Sequence, residues 1–205
     1  MTSTPQQFRH DLLTFTPQLR AYARSLCRSS DKADDLLQDT LLRAWEKQDT
    51  LRDAGLLKPW SCAIMRNVFR SQQRYARFTV EDIDGKIANS VTVTGDQEAA
   101  MEMHDMNEAL LAMPAEQREA IVLIFVSELS YEQAAALVGC AVGTMKSRVN
   151  RARRQLAGRL GILESDPRIE PVDNFPRENA VSAPLEQVDA HGFTCGHQSM
   201  SIATC

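Results

Sequence analysis

The sequence predicts an all-α protein: two small helical bundles joined by a flexible acidic linker, with a disordered C-terminal tail. Three observations predict it. Apolar residues recur at helical spacing through residues 8–78 and 107–160, and β-strand signals are confined to short runs such as Val91–Thr94. Charge alternates in blocks along the chain. Met1–Arg77 carries 13 Lys and Arg against 8 Asp and Glu, Phe78–Met106 carries 1 against 7, Asn107–Leu160 carries 7 against 5, and Gly161–Cys205 carries 2 against 7. The acidic blocks are also those without a helical period. The net charge of -4 therefore conceals two basic modules, and a polyanion responds to the local field within about 10 Å rather than to the sum.

In the first module (8–78), Asp31–Gln48 places Leu37, Leu41, Ala44 and Trp45 on one apolar helical face. Asp34, Asp35, Gln38, Asp39, Arg43 and Glu46 form the polar face beside it, which by itself reads as a solvated surface. Lys58-Pro59-Trp60 opens another helix, with proline tolerated in its first turn, and that helix runs through Arg77. Arg66, Arg70, Arg74 and Arg77 share one of its faces, and no acid occurs from Ala54 to Val80. Trp60, Phe69, Tyr75 and Phe78 lie among these arginines. A basic groove with aromatic platforms suits single-stranded or melted DNA, whose bases stack on rings. Trp60 and Phe69 also qualify as core.

The linker (79–106) leads into the second module (107–160). Ser130-Tyr131-Glu132-Gln133 has the form of a capping box, so a helix begins at Tyr131, and Gly139 supplies the tight turn that ends it. Val142, Met145, Val149, Ala152 and Leu156 then recur at intervals of 3 and 4 and face the bundle. Thr144, Lys146, Ser147, Arg148, Asn150, Arg151 and Arg154 are left facing outward, with no acid from Gln133 through Leu163. A short helix, a glycine turn and a basic amphipathic helix make the pattern of a helix-turn-helix, whose second helix enters the major groove.

The tail (161–205) is polar, acidic and punctuated by Pro167, Pro171, Pro176 and Pro184, and disorder is the expectation. His191, Cys195, His197 and Cys205 near its end are ligand-type residues, but their spacing fits no metal motif, so neither metal nor cofactor is expected. The five cysteines are irregularly spaced, and no signal peptide or membrane span is apparent. Reduced thiols in a cytoplasmic protein, without membrane insertion, are expected.

Three stretches in order carry a family resemblance: "ADDLLQDTLLRAWEK" from Ala33, "KPWSCAIMRNVFRSQQRYAR" from Lys58 and "LLAMPAEQREAIVLIFVSELSYEQAAALVGCAVGTMKSRVNRARRQL" from Leu110. Together they resemble the extracytoplasmic-function sigma factors of bacteria over about Phe8 to Leu160. "EDIDG" at Glu81 and "GCAVGTMKSRVNRAR" look most like the EcfG-type general stress group. The resemblance implies sigma region 2 in the first module, sigma region 4 in the second, and promoter-specific initiation rather than catalysis by the chain. Asp35, Gln38 and Asp39 match the motif that docks on core RNA polymerase. Asn67 and the arginine stripe of Arg66, Arg70, Arg74 and Arg77 fall where the melted minus-ten promoter element is captured. Thr144, Lys146, Ser147, Arg148, Arg151 and Arg154 fall in the helix that reads the minus-thirty-five element. Partners implied are core polymerase, promoter DNA and an anti-sigma factor of the NepR type, relieved by a PhyR-type mimic. Ser61 and Cys62 depart from the family pattern, standing where bulkier apolar residues are common.

Two other classes remain open on the residues alone. A stand-alone helix-turn-helix regulator needs only the second module and leaves the Arg66–Arg77 stripe unexplained. A sigma mimic that titrates an anti-sigma protein needs no basic DNA faces, whereas this chain has two.

Overall fold

The computed structural model describes residues 4–27, 29–78 and 106–160, with the side chains of 77 and 78 outside that description. The linker from 79 to 105 and the tail from 161, with His191, Cys195, His197 and Cys205, also lie outside the described residues, as does the side chain of Arg77.

Helix α1 (Pro5–Leu26) starts where Thr4 accepts a hydrogen bond from the Gln7 amide, with Pro5 in the first turn. It buries Phe8, Leu12, Phe15, Leu19, Tyr22 and Ala23 along one stripe, and Pro17 sits on the exposed side, where water can satisfy the carbonyl it orphans. Helix α2 (Ser30–Glu46) buries Ala33, Leu36, Leu37, Thr40 and Ala44. Two 3-10 turns (Gln48–Thr50 and Ala54–Leu56) lead to α3 (Leu57–Phe78), which buries Trp60, Cys62, Met65 and Val68. These three helices pack on one another as the first bundle.

The second bundle begins with a helical segment, α4 (106–111), one residue inside the expected linker. It continues with α5 (Ala115–Phe125), α6 (Tyr131–Val138) and α7 (Val142–Arg159). From Arg118 to Ile124 seven consecutive residues of α5 are buried, so this helix is covered on all sides. The cover comes from both bundles: α7 and α6 on one side, α1 on the other, while α3 also meets α6. The two modules therefore share one hydrophobic core, in which Leu19, Tyr22 and Met65 of the first and Leu123, Met145 and Val149 of the second are fully buried. Truncating one such side chain to alanine typically costs about 2–5 kcal/mol.

One expectation is corrected at α2. Trp45 was expected on the buried face, but it is 45% exposed, with one side of its indole 6.3 Å from the Phe8 ring. Leu37 and Ala44 of the expected face are buried, and the stripe is completed by Leu36 and Thr40, one position earlier than Leu37 and Leu41. Thr40 can take that place because its hydroxyl donates to the Leu36 carbonyl at 2.7 Å.

Candidate nucleic-acid interface

The helix-turn-helix is set by local chemistry. Ser130 Oγ accepts from the Gln133 amide at 3.1 Å, and Gln133 Oε1 accepts from the Ser130 amide at 3.0 Å, which closes both arms of the capping box. Gly139 ends α6 in the left-handed region at φ 76°, and the amides of Gly139 and Cys140 both donate to the Ala135 carbonyl. The chain is thereby turned into α7, which packs Met145, Val149 and Ala152 inward.

On the opposite face of α7, Thr144, Asn150, Arg151 and Arg154 are exposed, and Ser147 is half-buried. Lys146 places its ammonium 5.9 Å from the centre of the Tyr131 ring. Arg148 does not point freely outward: its Nη2 lies 2.7 Å from Glu116 Oε2, at the N-terminus of α5. Between the starts of α5 and α7 lies a concavity of about 400 Å³ lined by Pro114, Glu116, Thr144, Ser147, Arg148 and Arg151. Its rim carries hydroxyls and guanidiniums, the groups that bind phosphates and base edges.

The second basic face is on α3. Asn67, Arg70 and Arg74 are exposed, and Tyr75 is 72% exposed among them. Trp60 is buried with its ring edge-on to Phe8, and Phe69 is half-buried against the core, so the exposed ring among the described side chains of α3 is Tyr75.

Arg66 was grouped with this stripe and is placed differently. Its Nε donates to Glu119 Oε1 at 2.8 Å and its Nη1 to the Leu137 carbonyl at 3.3 Å, both in the second bundle. The two side chains of the pair are 12% and 11% exposed. Spacing put Arg66 one turn from Arg70; packing rotated its head into the junction between modules.

That junction was invisible in the sequence reading. Tyr22 Oη donates to the same Glu119 oxygen at 2.9 Å. Burial first, and then the Glu119 charge, hold the phenol well above its ordinary value, so Tyr22 is neutral and a donor. Ser61, Cys62 and Ser127 are fully buried, and burial pushes the Cys62 thiol from 9.0 up to about 12. Arg118, itself buried, donates to the Ser25 carbonyl at 2.7 Å and to the Leu111 and Met113 carbonyls, tying α1 to the turn before α5. Lys58 pairs with Glu128 across the same seam. The one local trace of it is Arg118-Glu119 standing immediately before the apolar run Ala120–Ile124, since charges adjoining a wholly buried helix need partners, but that trace names no partner.

On α2, Asp35 and Gln38 are exposed and Asp39 is half-buried, accepting from Gln72 Nε2 of α3 at 3.1 Å. Leu42, 64% exposed, and Trp45 continue the same side of the helix. An acidic patch thus runs into an apolar one, the composition of a protein-docking face.

Among the described residues no cluster of three or more His, Cys, Asp or Glu could hold a metal ion, and no helix is long and apolar enough to cross a membrane.

The model for sigma-70 region 2 matches residues 13–79 and that for sigma-70 region 4 matches residues 97–156. The ECF RNA polymerase sigma factor EcfG of Rhodopseudomonas palustris is 47% identical over 152 residues, covering 74% of this chain and 84% of that protein. The ECF RNA polymerase sigma factor SigM of Mycobacterium tuberculosis is 33% identical over 158 residues, covering 72% and 74%. The sigma factor RpoE of Bartonella quintana, solved in complex with the anti-sigma factor NepR, shares the fold with a TM-score of 0.65 and 47% identity, covering 76% of this chain and 97% of that one. Two regions in the right order, a fold shared along nearly all of a solved relative and this identity lead to one conclusion: the chain belongs to the ECF family of RNA polymerase sigma factors.

Proposed function

We propose that the chain directs core RNA polymerase to promoters of two elements, in the cytoplasm and without catalysing a reaction itself, as part of a stress response. Residues 8–78 act as region 2 and 107–160 as region 4, with the linker between them. Asp35, Gln38 and Asp39 dock on the polymerase, and Leu42 and Trp45 extend that contact. Asn67, Arg70, Arg74 and Arg77, with Arg66 once it is released, hold the melted minus-ten strand. Thr144, Lys146, Ser147, Arg148, Arg151 and Arg154 read and anchor the minus-thirty-five duplex. An anti-sigma factor of the NepR type holds the protein in check. The likeness to RpoE solved with NepR supports the anti-sigma partner, and the stress assignment rests on the EcfG-type resemblance of the sequence.

The observation that carries the reading is the coexistence, on one chain, of two separate cationic faces on α3 and α7 with the acidic-to-apolar stripe on α2. A regulator that binds duplex DNA alone has no use for α2 or for the α3 face. Reconstitution with core polymerase over a library of promoter fragments tests it. Mapped start sites sharing two spaced elements, lost with Asp35→Arg, are expected. Specific duplex binding by the free protein with no transcripts from the reconstituted enzyme contradicts it. Asp35 is the better probe than Asp39, because Asp39 also accepts the hydrogen bond from Gln72.

A further inference from the structure

Arg66 stands one turn from the exposed Arg70, yet its guanidinium crosses to the other module. Glu119 Oε1 receives both Arg66 Nε and Tyr22 Oη, so three helices, α1, α3 and α5, meet on one carboxylate oxygen. Nη1 of Arg66 is spent on the Leu137 carbonyl. An interface built only for adhesion is served as well or better by apolar side chains of the same shape, because a buried ion pair forfeits most of its attraction to desolvation. What such a pair does provide is a defined partner. It is also easily reversed, since separation returns both charges to water.

We propose that Glu119 is an intramolecular stand-in for a promoter phosphate: in the closed molecule it occupies Arg66, and the α1–α3 module offers that arginine to DNA only after the α4–α7 module moves away. This rests on the reading above that places Arg66 in capture of the minus-ten strand. Carboxylate and phosphate compete for the same guanidinium fork, so the two engagements exclude each other. The affinity of the free protein for single-stranded DNA is then reduced by the fraction of molecules that are open. The Arg118 and Lys58–Glu128 contacts along the seam hold the closed state without occupying a residue of the α3 stripe.

Two buried thiols report on closure. Cys62 is fully buried beside Ser127 at the seam, whereas Cys27 is buried within the first bundle with its Sγ 3.7 Å from the Lys32 carbonyl. The full chain is labelled with N-ethylmaleimide, and each cysteine is followed by peptide mass spectrometry. Binding to a random single-stranded DNA pool is followed by anisotropy. Glu119→Gln leaves Arg66 buried without its counter-charge and is expected to speed Cys62 labelling about tenfold or more. Tyr22→Phe, a milder change that keeps the charges, gives a smaller increase, and Glu116→Gln gives none. Cys27 stays protected throughout. Affinity for the DNA pool rises in Glu119→Gln, and adding Arg66→Gln removes the rise. Unchanged Cys62 labelling in both Glu119→Gln and Tyr22→Phe overturns the proposal, as does parallel exposure of Cys27 and Cys62, which signals general loosening. Faster Cys62 labelling with no gain in DNA binding, together with an Arg66→Gln single variant that binds DNA normally, overturns the DNA role of Arg66 and with it the stand-in, while leaving closure in place.

Discussion

Helix α5 sets two glutamates, three residues apart, against two arginines from the two basic helices. Glu116 meets Arg148 of α7 at 2.7 Å, and Glu119 meets Arg66 of α3 at 2.8 Å. Chemistry and distance are alike; surroundings are not. The Glu116 carboxylate is open to water, at the rim of a concavity, and joins parts of one module. Glu119 is almost wholly enclosed, shared with a neutral tyrosine, and joins two modules. In water the attraction is small and screened; in the interior each charge depends on its partner. One pair orients an arginine at the surface of one module, and the other ties two modules together.

Glu119→Ala strips the counter-charge from buried Arg66 and is expected to cost about 3–5 kcal/mol in urea unfolding. A loss below about 1 kcal/mol breaks the distinction between the two pairs, since that is the range of an exposed one.

Alkali probes the same junction. Cys62, raised to about 12, and Tyr22, also raised, bind their protons more tightly folded than unfolded. The stability they contribute is fully present below the unfolded thiol value near 9 and is lost as pH rises through the folded values, at about 1.4 kcal/mol per pH unit per proton. Unfolding midpoints are therefore flat from pH 7 to 8, fall from pH 9 upward, and fall less steeply in Cys62→Ala.

Tyr22→Phe keeps the ring and the volume but removes one of the two donors to Glu119, and a loss of about 1–2 kcal/mol is expected in the same unfolding measurement. Glu116→Gln is the smallest: a stability change under about 1 kcal/mol, with its effect confined to duplex affinity. A duplex affinity that is unchanged alongside unchanged stability removes the orienting role of Glu116.

The sequence made the second module legible in detail and the junction not at all. Ser130, Gln133 and Gly139 act on their own neighbours within a few residues, so cap, turn and the start of α7 follow from local chemistry, and the inward stripe of Met145, Val149 and Ala152 follows from period. Period likewise located α3 to within a residue at its ends. It could not say which side of α3 would be covered by another module, so Arg66 was read with Arg70 and Arg74. Trp45 failed for the related reason that helical spacing marks a face, and Phe8 reaches only one side of it. Glu119 is 97 residues from Tyr22 and 53 from Arg66, and no local pattern links residues that far apart. The outward cationic face of α7 followed from period and charge, whereas a docking role for α2 came through family resemblance alone, since its composition reads as a solvated surface.

A double-mutant cycle tests the central contrast most directly. Unfolding free energies are measured for Glu119→Gln, Arg66→Gln and the double variant, and in parallel for Glu116→Gln, Arg148→Gln and theirs. The difference in burial predicts a coupling of about 2 kcal/mol or more for the enclosed pair and under about 0.5 kcal/mol for the exposed one. Equal couplings, or a larger one at Glu116–Arg148, would contradict it.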